Sequence, residues 1–273
     1  MPLPSSYKLW VFVKLACLTA PVESGQVTVG LPLAAVLVVL AAVAATASVL
    51  GQLRLGRAVI GASSRAVVQL AGVSLLITAA LRSWWVTGGF IVVMVAVAAS
   101  TAARRITPLR SGWTATAPIA AGVAPVGAAI IAAGTMPMTE VAVLPIAGIL
   151  VGGAMTATSL AGRRALDELH NRRGEYEAAL ALGFLPRDAA LEVCRPTAGQ
   201  ALVPALDQTR TVGLVTLPGA FVGVLLGGGS ATQAGATQIL VLVALLAVEA
   251  IAVTITIELV ARGMLSRSTT PLG

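Results

Sequence analysis

Charged residues are scarce in this chain. Asp, Glu, Lys and Arg make up 11% of its 273 residues, whereas hydrophobic residues make up 57% and the mean hydropathy is +0.93. A soluble domain carries about a quarter charged residues, so this chain cannot cover itself with a solvated surface. The scarcity of charge therefore excludes an ordinary soluble domain and indicates a chain that lies largely in lipid.

Cysteine and histidine are also rare, which argues against two kinds of site. Cys17 and Cys194 lie in unlike contexts, and we expect them on opposite sides of the membrane, so no disulfide is predicted. A single histidine, His170, without a His/Cys cluster argues against structural zinc. The chain contains no Gly-x-x-x-x-Gly-Lys-Ser/Thr sequence, so it has no phosphate-binding loop for ATP. We therefore expect it to bind no cofactor itself.

Long apolar runs predict an all-α, polytopic membrane protein with about seven transmembrane helices. A helix needs about 20 apolar residues to cross the hydrocarbon core. The predicted spans are 27–50, 58–81, 86–103, 113–134, 141–161, 209–230 and 237–261. Residues 1–26 contain a shorter apolar run broken by Lys14, which we interpret as an N-terminal interfacial segment on the outside. Residues 27–273 then form the transmembrane domain.

The basic residues cluster at the ends of the apolar runs and predict the orientation. If the first span exits into the cytoplasm, 15 of the 18 Lys and Arg residues face the cytoplasm, and only Lys8, Lys14 and Arg82 lie outside. The positive-inside rule favours this arrangement in a cell membrane, with the N-terminus on the outer side and the C-terminus on the cytoplasmic side. The net charge of +7 therefore indicates membrane topology and not a nucleic-acid-binding surface.

One cytoplasmic segment is rich in charge of both signs, because residues 162–200 hold six Arg and six acidic residues. Its composition predicts a helix over Gly174–Leu182, which is rich in Ala, Leu and Glu. Gly183 follows where a left-handed C-cap is expected, Pro186 suits the first turn of a second helix, and Pro196 is expected to end that helix. This helix–glycine–helix unit, within a cytoplasmic loop over 162–206, is predicted to dock onto a cytoplasmic partner. The alternative is an ordinary solvated loop.

The spacing of this unit resembles the EAA loop of ABC-transporter permeases, which reads E-A-A-x3-G-x9-I-x-L-P. In this chain Val193 stands for the Ile and Arg195 for the Leu. In that family the loop inserts into a groove on the nucleotide-binding subunit. The resemblance therefore implies a set of ATPase-coupling residues: Glu177, Ala178, Ala179, Gly183, Pro186, Arg187, Asp188 and Pro196.

Longer stretches resemble the FetB-type iron-export ABC permeases, a family that includes plant permeases linked to aluminium tolerance. The most specific is Asp207-x-x-Arg210-Thr-Val-Gly-Leu with Leu217-Pro218-Gly219, and the resemblance covers roughly residues 30–262. It implies a non-enzymatic permease subunit of an ABC exporter that moves iron or another metal ion. It also implies a permease homodimer and a separate ATPase that binds ATP and Mg²⁺.

Ionisable groups and potential metal ligands in the spans are candidates for the translocation path. They are Glu249, Asp207, Arg210, Gln69, Met155 and Glu140. We expect Glu249 near mid-bilayer, in an inter-helix cavity that faces the sixth span. No group of these residues has the spacing of a metal site.

Three further features of the spans lead to expectations about packing. Glycines at a spacing of four, Gly148/Gly152 and Gly219/Gly223/Gly227, predict close helix packing or a dimer seam. Pro218 and Gly219 are a predicted hinge in the sixth span. The remaining acidic groups are expected in ion pairs, Asp207 with Arg210 and Glu258 with Arg65 or Arg210.

Two other functions are compatible with these patterns. EAA loops are typical of importers, so the chain could be an importer permease, which would require an external binding protein. It could instead be a secondary transporter or a membrane scaffold without an ATPase, in which case the EAA-like loop would be dispensable.

Overall fold

A computed structural model describes residues 30–80 and 83–267, and within these ranges the regular structure is helical apart from one isolated β-bridge. The α-helices are α1 Leu31–Leu50, α2 Gly56–Ala80, α3 Trp84–Ile106, α4 Thr116–Ala132, α5 Glu140–Asn171, α6 Arg173–Ala181, α7 Pro186–Ala198, α8 Val203–Thr211, α9 Gly219–Leu226 and α10 Ala231–Ala261. Two 3₁₀ helices cover Arg110–Ala115 and Gly199–Leu202. The all-α prediction is confirmed, whereas the predicted interfacial segment and Cys17 lie outside the described residues.

The chain divides into two compact units, residues 1–74 and 75–273. In the first unit, a tight turn joins α1 to α2, and Gln52 and Arg54 in this turn have positive φ angles of 54° and 56°. Ser48 stabilises the turn, because its carbonyl accepts a hydrogen bond from the Leu53 N–H at 2.9 Å and its hydroxyl accepts one from the Leu55 N–H at 3.2 Å. The end of α1 thus keeps partners for its last polar groups.

Small residues form the core of the second unit. A stripe on α5 recurs every three or four residues and is at most 1% exposed: Ala154, Ala157, Ala161 and Ala165. Two glycines also lie at close contacts between helices. A Cβ on Gly162 of α5 would lie 2.8 Å from Ile106 Cδ1 of α3, and a Cβ on Gly122 of α4 would lie 2.8 Å from the Val248 carbonyl oxygen of α10. Small side chains let the helix backbones approach closely, as in other membrane helix bundles.

Six helices within the described residues are long and apolar enough to cross a membrane. The chain is therefore a multi-pass membrane protein, but the sixth predicted span, 209–230, is not a continuous helix. It is divided into α8 and α9 by a turn in which Val212 is extended and Gly213 has a φ angle of 82°. Pro218 precedes α9 as its N-cap, and the residue before a proline is disfavoured in helical conformation, which explains the break.

The segment from α7 to α9 passes along α10. Near the C-terminal end of α10, Glu258 pairs with Arg187 of α7. Twenty residues earlier, the Gln238 side chain accepts a hydrogen bond from the Phe221 N–H of α9 at 3.2 Å. Twenty helical residues span about 30 Å, the thickness of a hydrocarbon core. The chain from α7 to α9 therefore travels the depth of a membrane without a single long helix.

Residues 265–267 connect helices at one end of the second unit. Leu265 is fully buried, and the Ser266 carbonyl accepts a hydrogen bond from the Ser111 hydroxyl at 3.1 Å. Arg267 donates to the Ile106 carbonyl at 3.0 Å and pairs with Asp167 of α5. The C-terminal ends of α3, α5 and α10 therefore meet at one end of this unit. We call it the basic end, and it is the end that the positive-inside rule predicts to be cytoplasmic.

Candidate coupling and transport site

The helix–glycine–helix unit is present as predicted. Helix α6 ends at Ala181, Gly183 adopts a φ angle of 93°, and α7 begins with Pro186 at its first position. The Phe184 N–H returns to the Ala179 carbonyl at 3.1 Å, which gives the end of α6 the geometry of a glycine C-cap. Because most side chains are disfavoured at this φ angle, glycine favours the sharp turn between the two helices.

Two predicted boundaries of this unit are wrong. Residues 162–171 are not part of a loop over 162–206, because α5 continues to Asn171 and buries Ala165 and Leu169 on its inner face. Pro196 does not end α7, which runs on to Ala198 and then into a 3₁₀ helix. A proline this close to the C-terminal end removes one hydrogen bond, and burial of Ala198 against the core holds the last turn in place.

The two short helices differ in how they meet the rest of the protein. Helix α7 buries one face against the core, formed by Ala189, Ala190, Leu191, Val193, Cys194 and Ala198. Helix α6 buries only Tyr176. The turn between them exposes three large apolar side chains, with Leu182 at 81%, Phe184 at 49% and Leu185 at 67%. We call residues 182–185 the docking turn, because exposed apolar side chains outside the spans are typical of protein contact sites.

Most of the residues proposed for coupling surround the docking turn on the surface. Exposed are Glu177, Ala178, Gly183, Pro186, Arg187 and Pro196, whereas Ala179 and Asp188 are half-buried. Glu177 pairs with Arg173 at 2.8 Å across one turn of α6. Next to it, a hydrogen bond from Arg172 lowers the pKa of Glu175. Helix α6 therefore presents a charged surface, held in place by local pairs, beside an apolar turn.

Glu258 pairs with different partners from those predicted. Both of its oxygens accept hydrogen bonds from Arg187 of α7, and Oε1 also accepts one from Arg262 at 2.6 Å. Arg210 is not its partner in the described structure. Arg210 instead pairs with Asp207 at 3.4 Å within α8, as predicted, and both side chains are exposed.

Glu249 is buried, and it faces a different helix from the one predicted. Its side chain is only 8% exposed, and its Oε1 lies 2.9 Å from the position that a Cβ on Gly153 of α5 would occupy. The predicted facing element was the glycine stripe of the sixth span. However, a Cβ on Gly219 or Gly223 would meet nothing within 4 Å. Gly153 of α5, and not the glycine stripe of α9, therefore makes room for the carboxylate.

The glycine pair predicted on α5 is shifted by one residue. Gly148 does approach α3, since its Cβ would lie 3.0 Å from Met94 Cε, but Gly152 has open space around it. The close contact belongs to Gly153, where a Cβ would overlap Leu245 of α10.

The other path candidates do not form a cluster with Glu249. Met155 is half-buried against the core, Glu140 is the first residue of α5, and Gln69 is exposed on α2. Pro218 and Gly219 begin α9 and do not kink a longer helix. Within the described ranges no three His, Cys, Asp or Glu residues are grouped as a metal site, and Glu249 is the only buried acidic residue. The geometry at Glu249 is that of one buried carboxylate.

The family profile of the uncharacterised protein family UPF0014 matches residues 30–265. This chain belongs to the UPF0014 family. The match extends from the start of α1 to the buried Leu265, so the family region contains both the coupling helices and the helix that carries Glu249.

Three relatives of the UPF0014 chain show how far the similarity extends. UPF0014 membrane protein STAR2 of Oryza sativa subsp. japonica is 38% identical over 150 residues, which are 55% of this chain and about half (53%) of STAR2. Protein ALUMINUM SENSITIVE 3 of Arabidopsis thaliana is 34% identical over 215 residues, or 77% of this chain and 78% of that protein. Probable iron export permease protein FetB of Escherichia coli (strain K12) is 32% identical over 114 residues, or 42% and 44%. No solved structure shows significant similarity to this chain.

We predict that the two adjacent glycines of α5 differ sharply in their tolerance of a side chain. Gly153→Ala places a methyl group against Leu245 and Glu249, and such overpacking is expected to reduce the free energy of unfolding by about 1–3 kcal/mol. Gly152→Ala meets open space, and alanine favours a helix over glycine by about 1 kcal/mol, so it should be neutral or stabilising. Thermal unfolding of the two variants in detergent checks this, and equal melting temperatures would contradict the packing of α5 on α10.

Cys194 is expected to resist thiol reagents whenever the protein is folded. It is fully buried on α7, its thiol donates to the Ala165 carbonyl at 3.5 Å, and burial raises its pKa from 9.0 to about 12. The higher pKa lowers the thiolate fraction at pH 8 roughly a thousand-fold. In a Cys17→Ser background, maleimide should label Cys194 only after denaturation, whereas Leu182→Cys in the docking turn should react at once. Rapid labelling of Cys194 in folded protein would show that α7 is not packed on α5.

Proposed function

We propose that this chain is the membrane permease subunit of an ABC exporter and that it couples through α6 and α7 to a separate ATPase. One observation carries the proposal: the EAA-like residues lie on two short helices around Gly183, and the turn between them exposes Leu182, Phe184 and Leu185 outside the spans. A solvated loop has no need for an exposed apolar turn held in fixed geometry. A groove on a partner subunit is a natural place for it.

The ATP chemistry belongs to that partner in this proposal. The chain carries no phosphate-binding loop, so ATP and Mg²⁺ are bound by the ATPase, and this chain supplies the membrane path and the docking helices. The basic end then faces the cytoplasm of a plasma membrane or inner membrane, as the positive-inside rule predicts.

The proposed substrate is iron or another metal ion. FetB, a relative at 32% identity, is named as a probable iron export permease. Within this chain, the buried carboxylate of Glu249 suits a hard or borderline cation. Because the described residues contain no group of three or more His, Cys, Asp or Glu that could hold a metal ion, we propose that Glu249 makes a transient contact along the path and is not a site of permanent binding.

A second copy of the chain completes the proposed transporter. The broken segment between α8 and α9 exposes Leu214 at 92%, and the glycine face of α9 is open at Gly219 and Gly223. Irregular backbone at membrane depth is tolerated only where protein or a water-filled path covers it. A permease homodimer would supply that cover, and its seam would lie along α9.

The proposal is tested by purification of the tagged chain from its native membranes. We expect an ABC ATPase to co-purify, and inside-out vesicles to accumulate ferrous iron when ATP is added. Without an associated ATPase, the chain would be a secondary transporter or a scaffold. Inward transport that depends on an external binding protein would make it an importer.

A further inference from the structure

Arg187 and Glu258 join the second coupling helix to the last membrane helix. Arg187 is the second residue of α7, and Glu258 lies three residues before the end of α10. The Arg187 Nε donates to Glu258 Oε1 at 2.6 Å, and Nη2 donates to Oε2 at 2.9 Å. This bidentate arrangement fixes both the distance and the orientation between the two side chains.

The guanidinium of Arg187 is occupied within this chain. Its third nitrogen, Nη1, donates to Asp188 at 2.7 Å, while Glu258 is also held from the other side by Arg262. An arginine engaged in this way is poorly placed to bind a second protein. Arg187 therefore differs from the other exposed coupling residues, whose side chains surround the docking turn.

The position of the pair places it between the docking turn and Glu249. Arg187 is two residues after Leu185, the last residue of the docking turn. On the other side, Glu258 and Glu249 lie on one unbroken helix, nine residues or about 13.5 Å apart. A shift of the docking turn would move α7. The Arg187–Glu258 pair would pass this movement to α10, which carries Glu249.

We propose that Arg187 and Glu258 form a latch that transmits movement of the coupling helices to α10. This inference rests on the proposed function and deepens it: the pair is a positioning pair and not a contact to the ATPase. The rest of the inner face of α7 packs on the core through apolar side chains, among them Leu191 and Val193. The latch adds a bidentate charged link from α7 to α10.

Charge reversal tests the latch. The variants are Arg187→Glu, Glu258→Arg and the double exchange, with Arg187→Lys as a conservative change and Glu192→Arg as a control. Glu192 is exposed on α7 and lies outside the specified positions of the EAA-like motif, so Glu192→Arg reverses one charge, as Glu258→Arg does, and leaves the latch intact. Three quantities are measured: co-purified ATPase, the rate of ATP hydrolysis, and ferrous iron accumulated by inside-out vesicles per ATP hydrolysed.

Each single reversal is expected to retain the ATPase but to lower the iron moved per ATP about five-fold or more, within the range of coupling changes seen for such networks. The double exchange should restore the ratio to within about two-fold, Arg187→Lys should give an intermediate value, and Glu192→Arg should match the wild type. Melting temperatures of all variants show whether the protein is folded. A merely structural pair would change these temperatures without changing the iron moved per ATP, and that result would overturn the latch.

Two other results would also overturn the inference. If Arg187→Glu releases the ATPase, Arg187 is a docking contact. If the single reversals move as much iron per ATP as the wild type, α10 is not driven through this pair. If no ATPase co-purifies with the wild-type chain, the proposed function itself is wrong, and the latch with it. The failure of the latch and the failure of the proposed function are therefore distinguishable.

Discussion

Glu249→Gln is expected to reduce metal export about tenfold or more while the protein remains folded. The amide has nearly the shape of the carboxylate and fits the same space beside Gly153 of α5, but it carries no charge for a passing cation. A contact to a charged group contributes about 1.5–3 kcal/mol, and a tenfold change corresponds to about 1.4 kcal/mol. The measurement is ATP-driven accumulation of ferrous iron by inside-out vesicles with matched amounts of each protein.

The depth of Glu249 makes this effect large. It lies nine residues, or about 14 Å, from Glu258 at the basic end of α10, which places it near the middle of a hydrocarbon core of about 30 Å. A carboxylate at that depth is costly unless it is paired, protonated or next to water, and within the described residues no ion pair holds it. A role in transport, as we propose, would explain its presence there.

The control for this prediction is Glu192→Gln. Glu192 is exposed on α7, so this variant loses one negative charge without any change in the membrane. The competing interpretation of Glu249 is a protonated structural residue bonded to a backbone carbonyl. Equal iron flux in wild type and Glu249→Gln would support that interpretation and remove Glu249 from the path.

Gly183→Val is expected to abolish attachment of the ATPase. The φ angle of 93° at this position is left-handed, and a left-handed conformation costs an L-residue roughly 1–2 kcal/mol, more when the side chain is β-branched. The turn would relax, and Leu182 and Leu185 would no longer be presented together. Gly183→Asn is the matched variant, since asparagine tolerates this region of φ, and it should retain most of the ATPase in co-purification.

A charge reversal on α6 is a second, independent test of the same docking surface. Glu177→Lys breaks an exposed pair with Arg173, which contributes at most about 1 kcal/mol to stability. The fold should therefore survive while the surface beside the docking turn changes sign. We expect loss of the ATPase with Glu177→Lys but not with Glu192→Lys. Unchanged attachment in both Gly183→Val and Glu177→Lys would show that α6 and α7 are not the docking site.

Much of the helix–glycine–helix unit formed by α6, Gly183 and α7 could be predicted from the sequence. Helix formers, a glycine at the C-cap position and a proline at the first position of α7 all act within a few residues, so the geometry at Gly183 and Pro186 follows from the sequence alone. The division of the sixth span into two helices was not predicted, because the chain is apolar from Val212 to Gly229 apart from Thr216. The signal that divides it is the short run from Thr211 to Pro218, in which glycine and proline outweigh hydropathy.

Long-range geometry could not be predicted in the same way. Arg187 and Glu258 are 71 residues apart in the chain, and no local pattern favours their pairing over Arg65 or Arg210. The choice between Gly152 and Gly153 depends on how α5 is rotated against α10, which a spacing rule does not specify. Both features require the packed helices to be known.

Transport by purified components tests the central claim most directly. The chain and its co-purified ATPase are reconstituted together and separately into proteoliposomes, and ferrous iron inside the vesicles is measured after ATP is added outside. We predict accumulation only when both proteins and hydrolysable ATP are present, and none with Gly183→Val in place of the wild type. Iron accumulation by this chain alone, at a rate that ATP and the ATPase do not change, would contradict the account.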